Sequence, residues 1–113
     1  MMKVLRLTRH PAEEVQKAEL RRIFGADCVI VDHSETVPGV ERVRELVREY
    51  QADVLEAVLP LPIMAEVVNP RTGVGVPVVR AITKRVISED GEVSFPFQHY
   101  EKVLKVEVLT EQL

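Results

Sequence analysis

The 113-residue chain holds one cysteine, no tryptophan, three phenylalanines and two tyrosines. A lone cysteine, Cys28, excludes an internal disulfide framework and a cysteine zinc cluster. Its Val/Ile neighbours make it read as a small buried hydrophobe. With so few aromatic rings the core must come from Val, Leu, Ile and Ala, a composition suited to a parallel sheet covered by helices. No apolar run approaches the ~20 residues of a membrane span. The Met1-Met2-Lys3 start has no secretory apolar region, so a cytoplasmic location without a membrane partner is expected. Excess basic charge is also missing. The net charge is −3, which argues against duplex nucleic acid as a partner and leaves room only for a local basic patch. There is no Gly-x-Ser-x-Gly elbow and no glycine-rich phosphate loop. Gly73-Val74-Gly75 reads as a turn before a strand.

What is present is globular. Hydrophobic residues make up 46% and charged residues 29%, a balance that leaves little room for disorder. Repeats and linkers are absent, so a single domain over 1–113 is expected. Glu and Arg outnumber Asn and Gln, a composition hinting at a thermophilic source.

Val4 to Thr8 reads as a first strand. Pro11, Glu13 and Glu14 suit the first turn of a helix ending near Phe24, with Gly25 as its stop. Asp27 to Asp32 is a second strand. Val40, Val43, Leu46, Val47 and Tyr50 share one face of a second helix, with charges opposite. Val54 to Leu59 is a third strand, and Pro60-Leu61-Pro62 opens a short helix over about Ile63 to Val68. Val76 to Ile87 reads as a long fourth strand, followed by an Asp90-Gly91 hairpin turn. Val93, Phe95 and Phe97 alternate after it, with Pro96 holding that strand to an edge or bulge. The alternation of Leu104, Val106 and Val108 predicts a last strand with one buried face. The expected fold is α/β: a Rossmann-like three-layer sandwich, parallel strand order 2-1-3-4, extended by a C-terminal antiparallel hairpin.

Three strands carry one charge each in an apolar run: Arg6, Glu56 and Arg80. Strand starts near Lys3, Asp53 and Pro77 place all three at one height on neighbouring strands. That predicts an Arg6–Glu56–Arg80 cluster, because an unpaired buried charge is too costly to persist. Two roles stay open: a structural triad, on a sheet face or at a dimer interface, or a carboxylate tuned by two arginines for chemistry.

Ligands of open parallel sheets bind beyond the carboxyl ends of the strands. Those ends here carry Thr8-Arg9-His10, His33-Ser34, Leu59-Pro60-Leu61-Pro62 and Thr83-Lys84-Arg85. The set of hydroxyls, imidazoles and cations suits phosphate or another small anion, although a solvated rim has the same composition. His10 and His33 lack a third ligand at metal spacing, so neither a metal nor another cofactor is expected.

Leu7-Thr8-Arg9-His10-Pro11-Ala12-Glu13-Glu14 forms one suggestive segment. Ala81-Ile82-Thr83-Lys84-Arg85-Val86, with Glu89 to Val93 and Phe97-Gln98-His99-Tyr100, forms another. Together they resemble small stand-alone CRISPR-associated Rossmann-fold proteins, the CARF-like group that includes ring nucleases. The likeness covers about 40 of the residues. It departs from the group at Leu59-Pro60-Leu61-Pro62, where a glycine-containing loop is usual and where proline supplies no amide donor. The resemblance implies that Thr8 and His10 line a nucleotide site and that Thr83, Lys84 and Arg85 contact phosphate. With Arg9 and His33 from the same strand ends, the candidate ligand-binding residues are Thr8, Arg9, His33, Thr83 and Arg85, and the candidate catalytic ones His10 and Lys84. It also implies a cyclic oligoadenylate ligand held across a homodimer. Any cleavage would be metal-free attack of a ribose 2′-hydroxyl on the adjacent phosphate. The alternative is a non-enzymatic homo-oligomeric interaction protein whose working surface is its interface. The residues alone leave both readings open.

Overall fold

A computed structural model describes residues 1–107 and 109–113. Its elements run β1 (Lys3–Leu7), α1 (Glu14–Phe24), β2 (Val29–His33), α2 (Val40–Glu49), β3 (Val54–Ala57), α3 (Leu61–Val67), β4 (Val78–Thr83), β5 (Val86–Ile87), β6 (Val93–Ser94) and β7 (Phe97–Lys102). The main sheet has the order β2-β1-β3-β4-β7, and β5 and β6 form a separate two-stranded ribbon. The first four strands of that order are parallel and β7 is antiparallel to β4. This is the Rossmann-like arrangement expected, with the antiparallel extension.

Alternation along the strands sorts the core into two layers. Leu5, Leu7, Leu55, Ala57 and Val78 join Val40, Val43, Leu46 and Val47 of α2 and Met64 and Val67 of α3. On the other face Val4, Val54 and Val79 meet Leu20 of α1 and the buried Cys28. Burying the γ- and δ-methyls of this aliphatic set contributes about 1.5–3 kcal/mol per large side chain. Helix α2 is the clearest case of sequence dictating structure, since its apolar stripe is the face that is buried.

Four expectations need correction. Pro11 does not sit in the first turn of α1; the helix begins three residues later at Glu14, and the Gln16 side chain accepts from the Glu13 N–H at 3.0 Å. Val76 to Ile87 is not one strand. A register shift falls between Ile82 and Thr83, β4 ends at Thr83, and the chain is next in a strand at Val86, where β5 begins the ribbon. The antiparallel partner of β4 is Phe97–Lys102, while residues 103–107 are not strand. Val103 and Val106 still pack on the core, but Leu104 is 76% exposed. Val108 lies outside the described residues. His99 is exposed and sits 3.6 Å from Glu101.

The fourth correction is the charged cluster. Arg6 stands opposite Glu56 as expected, but Glu56 is opposite Val79, not Arg80. A one-residue offset sends a side chain to the other face of a sheet. Arg80 is therefore exposed on the opposite face, 3.2 Å from Glu101.

Candidate functional site

Arg6 is 3% exposed, yet each of its five N–H donors has an acceptor. Nε and Nη2 reach Glu56 Oε1 and Oε2 at 3.0 and 3.3 Å. Nη1 donates to Asp32 Oδ1 at 2.7 Å and to the His10 carbonyl at 3.2 Å. The second Nη2 proton goes to Gln16 Oε1 at 3.4 Å. Burial works against the Arg6 charge, but the Glu56 and Asp32 carboxylates outweigh it and hold the guanidinium above its ordinary pKa. A guanidinium saturated in this way is a structural hub. It joins β1, β2 and β3 to the start of α1 and pins the β1–α1 loop by the His10 carbonyl.

That loop forms one wall of a cleft of about 400 Å³. Leu7 contributes from the end of β1, Thr8, Arg9 and His10 from the loop after it, Glu35, Thr36 and Val37 from the β2–α2 loop, and Val58, Leu59 and Pro60 from the β3–α3 loop. The cleft lies at the carboxyl ends of β1 and β3, where the strand order reverses, which is the general ligand position of such sheets. Local bonds fix its walls. The Thr8 N–H donates to the His33 carbonyl at 3.1 Å, and the His10 N–H donates to Thr8 Oγ1 at 3.2 Å. Arg9 Nη2 donates to Thr36 Oγ1 at 3.3 Å, bridging the first two loops.

Behind the cleft runs a second polar chain. His33 Nδ1 lies 2.7 Å from the Tyr50 hydroxyl and Nε2 lies 3.1 Å from Glu35 Oε1. Arg42 donates through Nε to Glu35 Oε2 at 2.6 Å and through Nη2 to Oε1 at 2.9 Å. The Arg42 fork, with His33 second, lowers the Glu35 carboxyl to about 2, so it is ionised across the ordinary pH range.

The sequence-derived residues are thus divided. Thr8, Arg9 and His10 meet around the cleft. His33 is one bond behind it, with both ring nitrogens engaged. Thr83, Lys84 and Arg85 do not line it; they stand exposed where β4 passes into the ribbon, with the Lys84 N–H bonded to the Pro96 carbonyl at 3.1 Å. Because β4 runs parallel to β3, they share the cleft's end of the sheet. Glu35 was missed, because only the fold brings His33 and Arg42 onto it. Among the described residues no three His, Cys, Asp or Glu side chains converge as a metal ligand set. No helix there is long and apolar enough to cross a membrane.

Fold and cleft together define a Rossmann-like α/β domain with a small pocket of mixed polar and apolar lining at its switch point. No family model matches the chain, and neither curated proteins nor solved structures give a significant match.

Proposed function

We propose that the protein binds a small anionic ligand, a nucleotide, in the Thr8–Arg9–His10 cleft, and that it works as a homodimer. The observation that carries this reading is the cleft's position and lining. It sits at the topological switch point, and its volume falls within the range of small-molecule sites, roughly 300–1,000 Å³. Arg9 offers a planar donor fork for phosphate and His10 an imidazole able to donate or accept a hydrogen bond. In keeping with the CARF-like resemblance, the ligand class is a cyclic oligoadenylate. If it is cleaved, the ribose 2′-oxygen bonds to the adjacent phosphorus as the P–O5′ bond breaks. The 2′-hydroxyl proton ends on the departing 5′-oxygen. His10 would carry that proton, and Lys84, brought by the arm of a second copy, would stabilise the developing negative charge.

The test is a thermal-shift screen with cyclic and linear oligoadenylates, mononucleotides and inorganic phosphate, followed by product analysis. A ligand at 100 times its Kd adds about 2.7 kcal/mol of apparent stability. A shift with a cyclic oligoadenylate that is lost in Arg9→Ala supports the reading, and linear products make the protein an enzyme. No shift with any nucleotide overturns it.

One observation favours the alternative, a non-enzymatic homo-oligomer. Every residue from Thr83 to Pro96 is exposed, and this arm carries Val86, Ile87, Val93 and Phe95. Two-stranded ribbons are marginal on their own, so such an arm gains most of its stability from a surface that covers it. In a homodimer the same arm brings Lys84 and Arg85 with it, so the dimer is common to both readings.

A further inference from the structure

The cleft is bipolar, and its acidic wall has no role in holding an anion. We infer that Glu35 is the specificity-determining residue of this cleft, accepting a hydrogen bond from a ribose 2′-hydroxyl, so that the site takes ribonucleotides in preference to deoxyribonucleotides. The inference rests on the nucleotide reading above and deepens it.

The argument begins with acceptor capacity. An ionised carboxylate has about four lone-pair positions. Glu35 Oε1 uses two, for His33 Nε2 and Arg42 Nη2, and Oε2 uses one, for Arg42 Nε. One position on Oε2 is left, and Glu35 is a lining residue of the cleft with a side chain 29% exposed. The proton arrangement that satisfies the chain behind it has the Tyr50 O–H donating to His33 Nδ1 and the His33 Nε2–H donating to Glu35. Three hydrogen bonds from two residues, His33 and Arg42, therefore fix the carboxylate's orientation without a ligand, which reduces the ordering cost of using it.

Position supports the same role. Glu35 lies two residues past β2, and Arg9 is tied to the neighbouring Thr36. In Rossmann-type sheets an acidic side chain near this point accepts from the ribose of a nucleotide whose phosphate sits by the first strand–helix loop. Here the first loop supplies Thr8, Arg9 and His10 to the same cleft. A ligand with phosphate at one end and hydroxyl donors at the other matches both walls, whereas a bare anion meets an ionised carboxylate. Held so far below neutrality, Glu35 is a poor proton acceptor in the chemical sense, so its effect falls on binding and not on turnover.

The experiment compares 5′-AMP, 2′-deoxy-5′-AMP and inorganic phosphate by isothermal titration in the wild-type chain and in Glu35→Gln and Glu35→Asp. Mononucleotides have no phosphodiester to cleave, so binding is read alone. Loss of one charge-assisted hydrogen bond predicts that the wild-type chain prefers AMP over its deoxy form by about tenfold or more. Glu35→Gln is expected to bring that ratio toward one, with Asp intermediate. Equal wild-type affinity for the two nucleotides overturns the inference and leaves the nucleotide reading standing. The wild-type ratio decides this even where a variant folds poorly. A ratio preserved in a folded Glu35→Gln also overturns it. Absence of binding by both mononucleotides overturns this inference, and the nucleotide reading falls with it only where the cyclic oligoadenylates also give no thermal shift.

Discussion

The Tyr100 hydroxyl donates to Glu56 Oε1 at 2.8 Å, reaching across β4 from the edge strand to the buried carboxylate. The same oxygen accepts Arg6 Nε at 3.0 Å. A chain of charge-assisted bonds therefore spans the sheet from Asp32 on β2 to Tyr100 on β7. Burial first, and the Glu56 charge second, push the Tyr100 hydroxyl above its ordinary pKa of 10.0. The folded state thus favours the protonated phenol. The stability linked to it is whole below pH 10 and is lost as pH climbs from there toward the raised folded value. Tyr100→Phe is expected to lower stability at pH 7 by about 1.5–3 kcal/mol, the loss of a bond to a charged group. It is also expected to remove part of the alkaline slope. Urea unfolding at pH 7, 9 and 10.5 measures both, and an unchanged alkaline slope counts against the assignment.

The Arg6–Glu56 pair is nearly solvent-free, at 3% and 5% exposure. Removing one member strands the other's charge, which costs about 3–5 kcal/mol in such pairs. Glu56→Leu leaves Arg6 with Asp32, Gln16 and the His10 carbonyl, so its cost should fall near the lower bound. Arg6→Met leaves Glu56 with Tyr100 alone and should cost more. The double substitution should cost less than the sum of the single ones. A double-mutant cycle by chemical denaturation gives the coupling, and additive losses would falsify the pairing as an energetic unit.

Much of this was legible from the strands. The order of elements, the two-sided core and the α2 stripe follow from periodicity, because buried aliphatic residues recur at 2.0 and 3.6 spacing. A charged Arg6–Glu56 pair followed from the cost of burying either alone. Arg80 did not belong with them because register between β3 and β4 is set by packing and loop length, neither of which a strand's own residues reveal. Asp32 and Tyr100, the pair's partners on other strands of the sheet, are ordinary residues in sequence and become partners only through the strand order. The Thr8–Arg9–His10 wall was visible from strand ends. Glu35 was not, because a loop carboxylate is unremarkable until Arg42 and His33 converge on it.

Gly73 closes the turn after α3, where its N–H donates to the Asn69 carbonyl at 2.8 Å. A Cβ added there would lie 2.2 Å from the Val67 carbonyl oxygen and 2.5 Å from that of Asn69. Both are backbone atoms, so the turn itself has to move. Gly73→Ala is expected to cost about 1–3 kcal/mol, as other overpacking does. Gly75→Ala is a fair comparison, having open space but a φ of +74°. Its cost should be nearer 1 kcal/mol, that of placing an L side chain in the left-handed region. Melting curves of the two variants rank them, and Gly75→Ala proving the more damaging would contradict the close approach.

The arm allows a cleaner separation of fold from assembly. Residues 85–95 are exposed throughout, and the Lys84–Pro96 backbone bond already closes the base of the arm. Replacing 86–94 with a two-residue Asn-Gly turn therefore removes none of the buried core and supplies a good hairpin connection. The shortened monomer should keep its secondary structure. If Val86, Ile87, Val93 and Phe95 cover a second copy, the full chain sediments as a dimer and the shortened chain as a monomer, with a melting temperature that no longer depends on concentration. A full chain that is monomeric at high concentration removes the homodimer from both functional readings. A shortened chain that still dimerises moves the interface off the arm, leaving the exposed edge of β7 as the next surface to test.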